Sequence, residues 1–135
     1  MIQNDAIGQI LAQCRTIAVV GLSPKPWRDS HRIAAYMQRQ GWRIVPINPN
    51  AGAILGQPAY PDLAAAAQVQ PIDLVNVFRS SADVPPVADQ AIAIGARALW
   101  LQSGIVHDAA AAKARAAGLL VVQDSCLMVE HRRRQ

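Results

Sequence analysis

A repeated junction constrains the fold of this 135-residue chain more than any other feature of its sequence. Three segments with a helical pattern each end at a glycine, and an apolar run follows at once. The three segments read HRIAAYMQRQ-G-WRIVPIN, DQAIAIG-ARALWLQ and AAAAKARAAG-LLVVQD. A glycine just past the last helical turn can adopt the left-handed conformation that ends a helix. The junctions therefore predict helices that lead directly into strands.

Two further apolar runs, Thr16 to Leu22 and Ile72 to Phe78, complete a set of five predicted strands. The runs are continuous rather than alternating, which is typical of parallel strands covered on both faces. Helices separate them, so the pattern predicts an α/β, Rossmann-like fold: a doubly wound, mostly parallel five-stranded sheet with helices on both faces. We expect a single domain over residues 1–135, with an N-terminal helix or arm over 1–15 and a basic tail over 131–135.

The segment between the second and third strands reads differently. Residues from Asn48 to Pro61 are rich in Pro, Gly and Asn and predict a loop, followed by a short helix over Leu63 to Gln68.

Charge, hydropathy and cysteine content exclude several classes of protein. The net charge of +4 includes Arg132, Arg133 and Arg134, which we expect in a solvated tail. The remaining chain carries only about +1, so net charge gives little support for nucleic-acid binding. No apolar run reaches the roughly 18 residues of a membrane helix, and the N-terminus is too polar for a secretory signal, so we expect a cytoplasmic protein. The spacing of Cys14 and Cys126 does not indicate a disulfide framework or a zinc site.

The loop after the first strand, GLSPKPWRDS, is the strongest candidate for a binding site. Ligands of open α/β sheets bind beyond the carboxyl ends of the strands. Gly21 permits a tight turn, Ser23 offers a hydroxyl, and Ser30 or Asp29 is the predicted N-cap of the next helix. The first N–H groups of a helix attract an anion. The loop therefore predicts an anion site.

The same loop and the end of the second strand argue against the commonest Rossmann ligand. An NAD-binding domain usually has Gly-x-Gly-x-x-Gly after its first strand and an acidic residue at the end of its second. Here Gly21 stands alone, and the second strand ends at Asn48 and Pro49. An NAD(P)-binding oxidoreductase is therefore the weaker alternative, and the positive charges of Lys25 and Arg28 suit a ligand with more phosphate.

Several segments together resemble a known family. VVGLSPKPWRDSHRIAAYMQRQGWRIVPINP, ILGQPAYPDLA, IDLVNVFR, AIAIGARALWLQSGIV and a late EH resemble the small stand-alone CoA-binding domain proteins. The fold of that family is similar to the N-terminal CoA-binding domain of the succinyl-CoA synthetase alpha subunit. The resemblance extends from Ile10 to Arg132. It implies a protein that binds coenzyme A or an acyl-CoA as a non-catalytic carrier, sensor or accessory module, alone, as a homodimer or with a partner enzyme.

The resemblance also implies which residues form the site. The phosphates of CoA would lie against the first loop and the start of its helix: Gly21, Leu22, Ser23, Lys25, Pro26, Arg28 and Ser30. The nucleotide, with its adenine and ribose phosphate, would be bordered by the ends of the next two strands: Asn48, Pro49, Phe78, Arg79 and Ser80. The pantetheine arm would pass two residues after the fourth strand: Gln102 and Gly104. CoA carries a 3′-phosphate as well as a pyrophosphate, and the basic side chains of this set can bind both.

Catalytic residues are not evident in the sequence. The three histidines, His31, His107 and His131, lack a catalytic context, and we expect surface or capping roles for them. A detached subunit of an acyl-CoA ligase and a redox-sensing or regulatory module remain alternatives. Cys126 follows the fifth strand on the ligand edge, so its thiol is a candidate for a mixed disulfide with CoA, although a buried structural role is the commoner one for such a cysteine.

Overall fold

The computed structural model describes residues 2–135, and the side chains from residue 3 onward. In chain order the elements are α1 (Ile2–Gln13), β1 (Thr16–Val20), α2 (Asp29–Arg39), β2 (Arg43–Ile47), β3 (Ala53–Ile54), β4 (Gln57–Pro58), α3 (Leu63–Ala67), β5 (Leu74–Val77), a 3₁₀ turn (Ser81–Asp83), α4 (Val84–Ala93), β6 (Ala98–Leu101), α5 (Asp108–Ala116), β7 (Leu120–Val122) and α6 (Leu127–Arg133).

Five of the strands form one parallel sheet in the order β2-β1-β5-β6-β7. These strands are almost entirely buried, as their continuous apolar sequences predict. The chain moves outward from β1 to β2 and then returns to place β5 on the other side of β1. The loops after β1 and β5 therefore diverge, and such a switch point leaves a crevice at the carboxyl edge of the sheet.

Helices cover both faces of the sheet, so the predicted doubly wound Rossmann-like fold is confirmed. On one face α1, α2 and α6 contribute side chains such as Ile10, Met37 and Leu127 to a buried cluster. On the other face α3, α4 and α5 pack Leu63, Ala88 and other small apolar side chains against the strands. Within residues 2–135, every helix is too short or too polar to span a membrane.

The loop between β2 and α3 contains a feature that its sequence did not predict. The short antiparallel hairpin of β3 and β4 lies within it, and Tyr60 then pairs with Ile47 at the end of β2. The backbone N–H of Asn48 also donates to the carbonyl of Tyr60, at 2.9 Å. This pairing brings the start of α3 back to the carboxyl edge of the sheet. The predicted short helix is present, with Asp62 as its N-cap.

Two expectations about helix ends are wrong. The N-cap of α2 is Arg28 rather than Ser30 or Asp29, and Ser30 lies in the first turn with its side chain buried. The expected tail over 131–135 is instead helical as far as residue 133, although Arg132, Arg133 and Arg134 are exposed as expected. His131 is buried, and its Nδ1 lies 2.8 Å from the hydroxyl of Tyr36 on α2.

Candidate ligand-binding cleft

A cleft of about 790 Å³ opens at the carboxyl ends of β1, β2 and β5. Its wall gathers most of the residues that the sequence predicted for phosphates and nucleotide: Gly21, Leu22, Ser23, Arg28, Ser30, Asn48, Pro49, Phe78 and Arg79. These residues come from three separate loops. The sheet brings the loops together because parallel strands end at a common edge.

Gly21 allows the loop after β1 to lie directly against the loop after β5. Its φ of +89° lies in the left-handed region, and a Cβ at this position would lie 2.7 Å from the carbonyl oxygen of Phe78. The same Cβ would lie 3.1 Å from Cδ of Arg79. A contact of 2.7 Å with backbone cannot be relieved by a side-chain rotation. Glycine is therefore required if the loops after β1 and β5 are to lie side by side.

Hydrogen bonds hold the loop after β1 in one arrangement. The N–H of Ser23 donates to Oγ of Ser30 at 3.0 Å, and the N–H of Lys25 donates to Oγ of Ser23 at 3.1 Å. The N–H of Arg28 donates to the carbonyl of Lys25 at 3.1 Å, which closes a turn over Pro26. The loop thus reaches α2 with little freedom left to lose when a ligand binds.

The N-terminus of α2 faces this cleft. Its N-cap Arg28 has an extended backbone and accepts no side-chain hydrogen bond from the first turn. Arg28, Asp29 and Ser30 all line the cleft. The first N–H groups of a helix lack partners within the helix and carry a partial positive charge. This end of α2 can therefore donate hydrogen bonds to an anion in the cleft.

Two cationic side chains at or beside the cleft have no carboxylate partner in the described part of the chain. Among the residues that the structure describes, Arg28 and Lys25 take part in no ion pair. The two carboxylates of the wall are engaged elsewhere, because Asp29 pairs with Arg32 and Asp62 accepts from the N–H of Ala65 at 2.8 Å. Full cationic charge remains available to a ligand.

Asn48 connects two walls of the cleft. Its Nδ2 donates to the carbonyl of Leu22 at 3.0 Å, and its Oδ1 accepts from the N–H of Asn50 at 2.8 Å. The amide thus ties the end of β2 to the loop after β1. We infer that Asn48 positions the backbone around a ligand, because both polar atoms of its side chain are already bonded.

Five predicted residues lie outside this wall. Lys25 is exposed beside the cleft, and Pro26 borders a groove between α2 and α6. Ser80 donates to Oδ2 of Asp83, and the N–H of Gly104 donates to Oδ1 of Asp124. The fifth, Gln102, belongs to a second cavity.

That second cavity, of about 380 Å³, adjoins the cleft through the shared residues Asp29, Phe78 and Arg79. Gln102, Cys126 and Met128 lie in its wall. Oε1 of Gln102 accepts from the N–H of Leu127 at 2.9 Å, so this side chain also anchors the start of α6. Cys126 was expected to be buried, but it is only partly buried, and it packs against the edge of the hydrophobic cluster.

The other cysteine, Cys14, is poorly placed to react. Burial, followed by the negative charge of Asp73, raises the pKa of the Cys14 thiol to about 11. The Cys14 side chain is fully buried. Cys126 is therefore the accessible thiol of the two.

Several residues of the wall were missed from the sequence. Trp27 stands on the rim, α4 contributes Val87 and Gln90, and the pairing of Tyr60 with β2 brings in Pro61 to Leu63. The first of these lies inside the predicted loop and could have been included. The others reach the cleft through tertiary contacts, for which the sequence carries no local signal.

The histidines lie outside the cleft wall. His107 caps α5, since its Nδ1 accepts from the N–H of Ala110 at 3.1 Å, which confirms a capping role. Burial, followed by the charge of Arg15, lowers the pKa of His131 below 6.5. Within the described part of the chain, no group of three or more His, Cys, Asp and Glu side chains has the arrangement of a metal site.

Fold and cleft together define a Rossmann-like domain with an open cleft at the switch point of its sheet. A family model described as a CoA binding domain matches residues 15–132, and the chain belongs to this family. The resemblance seen in the sequence is thereby confirmed, and family membership gives the chain a CoA-related role.

Individual proteins are also similar to this chain over most of its length. The uncharacterized protein YneT of Bacillus subtilis is 39% identical over 125 residues, which cover 93% of this chain and 91% of YneT. The structure of a hypothetical protein from Pyrococcus horikoshii is 34% identical with a TM-score of 0.90, covering 96% of this chain and 90% of that one.

A more distant similarity concerns the fold alone. An acetyl-coenzyme A synthetase from Ca. Korarchaeum cryptofilum matches with a TM-score of 0.70 at 22% identity. The match covers 84% of this chain and 26% of the synthetase.

Proposed function

We propose that this protein binds coenzyme A or an acyl-CoA in the cleft, with the pyrophosphate at the N-terminus of α2. The observation that carries the proposal is the uncapped start of this helix at the switch point of the sheet, beside Arg28, which has no ion pair among residues 2–135. Membership of the CoA-binding domain family supports the same ligand. The backbone N–H groups and the guanidinium would bind the phosphate oxygens together.

The number of cationic groups near the cleft fits the charge of CoA. Arg28 and Arg79 line the wall, and Lys25 lies in the same hydrogen-bonded turn as Arg28. The ion pair of Arg79 with Asp83 is exposed and 3.5 Å long, so a phosphate can compete for this guanidinium. We assign the pyrophosphate to Arg28 and the 3′-phosphate to Lys25 and Arg79 together.

The second cavity suits the pantetheine arm. It continues from the cleft past Phe78 and Arg79 and ends among Cys126, Met128 and Ile105. CoA has a charged nucleotide at one end and a less polar arm at the other. The cleft, with its arginines, would take the nucleotide, and the adjoining second cavity would take the arm. In this arrangement Gln102 would border the arm, while Ser80 and Gly104 would act through the loops that they stabilise.

The proposed role is that of a non-catalytic carrier, sensor or accessory module. Four polar side chains of the cleft are hydrogen-bonded to backbone groups, and the histidines lie elsewhere; the four are Ser23, Ser30, Asn48 and Asp62. An NAD(P)-binding oxidoreductase and a detached subunit of an acyl-CoA ligase are the competing functions. A homodimer or a partner enzyme would complete the carrier role.

Isothermal titration against CoA, acetyl-CoA, NAD and NADP tests the ligand. We expect micromolar binding of CoA or acetyl-CoA and much weaker binding of both dinucleotides. Arg28→Ala and Lys25→Ala should each weaken CoA binding about tenfold, because each removes a charged partner of a phosphate. Tighter binding of NAD or NADP than of CoA would overturn the proposal.

Arg43→Ala is the matched control for these variants. Arg43 is also exposed, but it is the first residue of β2 and so lies at the amino-terminal edge of the sheet, opposite the cleft. Its removal lowers the net charge as Arg28→Ala does, and it should leave CoA affinity unchanged. Equal losses in both variants would indicate binding by overall charge rather than by the cleft.

Cys126 allows a covalent test of the pantetheine path. If the CoA thiol reaches the second cavity, diamide should take one hydrogen from each thiol and leave a mixed disulfide between CoA and Cys126. Intact-mass analysis should show one CoA adduct in the wild type and in Cys14→Ser, and none in Cys126→Ser. An adduct that persists in Cys126→Ser would contradict this path.

A further inference from the structure

Trp27 is an exposed aromatic side chain on the rim of the cleft. It is 72% exposed, whereas Trp42 and Trp100 are 5% and 0% exposed. The other large hydrophobic residues that are exposed in the described part of the chain, Val69, Val106 and Val129, lie outside the cleft wall. An indole held in water beside a ligand cleft presents apolar surface that a ligand can cover.

The backbone holds Trp27 in place before any ligand arrives. It occupies the third position of the turn from Lys25 to Arg28, which the 3.1 Å bond between their backbone groups closes. Pro26 at the second position restricts the turn further. The N–H of Lys25 is bonded in turn to Oγ of Ser23. Binding through Trp27 would therefore require little ordering of the backbone.

We propose that Trp27 packs against the adenine base of bound CoA and so selects ligands that carry a base. This inference rests on the proposed function, because it assumes that CoA occupies the cleft. Trp27 lines the cleft but not the second cavity, which contains Cys126 and would take the pantetheine arm. The indole is thus on the nucleotide side of the shared residues Phe78 and Arg79. The base is the flat aromatic group of that half of the ligand, and it can stack on an indole.

The neighbouring residue supports this assignment. Arg28 follows Trp27 directly and also lines the cleft. A phosphate bound at Arg28 brings the rest of the nucleotide close to the rim. Trp27 then covers the base, while Arg28 and the start of α2 bind the phosphates. One turn would recognise both halves of the nucleotide.

Tryptophan fluorescence of the full chain tests the inference, since Trp27 is the exposed tryptophan. Saturating CoA and ADP should each change the emission, because both carry the base. Pyrophosphate and pantetheine, which lack it, should leave the emission unchanged. In Trp27→Phe the change should disappear, while titration calorimetry still shows CoA binding within about threefold of the wild type.

Trp27→Ala provides the affinity measurement, with Val69→Ala as the control. Loss of stacking should weaken CoA and ADP about tenfold and pyrophosphate not at all. Val69→Ala removes an exposed apolar side chain outside the cleft and should bind as the wild type does. Wild-type CoA affinity in Trp27→Ala, or a CoA-induced change without an ADP-induced one, would overturn the role of Trp27 alone. Absence of CoA binding to the wild type would overturn the proposed function and this inference with it.

Discussion

The two ends of helix α2 lie in opposite surroundings. At its N-terminus the first N–H groups have no side-chain cap, and Arg28 has no ion-pair partner among the described residues. Near its C-terminus the hydroxyl of Tyr36 is bonded to buried His131, and the guanidinium of Arg132 lies 5.4 Å from the Tyr36 ring. Polar groups at one end are paired within the protein and stabilise it. At the other end, the first N–H groups have no side-chain cap and would be available to the proposed ligand.

The charges near α6 show the same contrast with the cleft. Glu130 accepts from both Arg133 and Arg134, at 3.2 and 2.7 Å. These arginines are therefore partly neutralised within their own helix, whereas Arg28 is not. All three residues are arginines, so residue type does not distinguish the cleft from α6. What distinguishes them is whether a carboxylate of the described chain lies within ion-pair distance.

The largest effect should come from a methyl group added at Gly21, in the loop between β1 and α2, and it should far exceed that of the same change at Gly41, beyond the C-terminus of α2. Gly21→Ala and Gly41→Ala both place alanine at a positive φ, +89° and +94°. Only at Gly21 would the new Cβ meet a neighbour, the carbonyl oxygen of Phe78 at 2.7 Å. We expect Gly21→Ala to lower the free energy of unfolding by about 2–4 kcal/mol and to abolish CoA binding.

Gly41→Ala serves as the matched control in urea unfolding and calorimetry. It should cost about 1 kcal/mol, from backbone strain alone, and leave CoA affinity unchanged. Equal losses of affinity in the two variants would show that the close approach at Gly21 does not shape the cleft.

Tyr36→Phe should lower the stability of the protein and leave its CoA affinity nearly unchanged. It removes the 2.8 Å hydrogen bond to Nδ1 of His131 and leaves a buried ring nitrogen without that partner. We expect a loss of about 1–2 kcal/mol in urea unfolding, with CoA affinity within about twofold of the wild type. A tenfold loss of affinity would mean that the two ends of α2 are coupled.

Ser30→Ala should affect both properties modestly, because Ser30 connects the helix to the loop. Its Oγ accepts from the N–H of Ser23 at 3.0 Å, and the side chain is buried. Without this bond the loop is less ordered, so CoA affinity should fall about threefold to tenfold and stability by about 1 kcal/mol. Unchanged affinity would show that the order of the loop does not contribute to binding.

The smallest effect should be a pH dependence of stability that comes from His131, the partner of Tyr36 near the C-terminus of α2. Burial, followed by the charge of Arg15, holds the pKa of His131 below its ordinary 6.5. The unfolded chain therefore takes up a proton at this residue more readily than the folded protein. Stability from this source should be complete above about pH 6.5 and be lost as the pH falls through the lowered pKa.

Thermal unfolding between pH 7.5 and pH 5 measures this dependence. The melting temperature of the wild type should fall on acidification more steeply than that of His131→Gln. Parallel curves for the two proteins would contradict the assignment of the effect to His131.

The sheet and the centre of the cleft could be predicted from the sequence for one physical reason. Apolar runs that follow helix-ending glycines identify the strands, and parallel strands place their following loops at one edge. Gly21 and Arg28 were found in this way, the family resemblance added Phe78, and the three residues lie together in the wall.

The features that the sequence did not predict, in the site and at two helix ends, depend on contacts between residues far apart in the chain. Pro61 and Asp62 reach the wall because Tyr60 pairs with Ile47. The sequence favours Ser30 as an N-cap, yet its hydroxyl accepts from Ser23, seven residues away, and Arg28 takes the cap position. The basic sequence at the end of the chain predicts a solvated tail, but His131 finds a partner in Tyr36, 95 residues away.

A crystal structure of the protein grown with CoA tests the central claim most directly. The account predicts the pyrophosphate within hydrogen-bonding distance of the first N–H groups of α2 and of the Arg28 guanidinium, with the pantetheine arm directed past Phe78 toward Cys126. CoA bound at the α6 end of the same helix, or in the cleft with its phosphates away from Arg28, would contradict it.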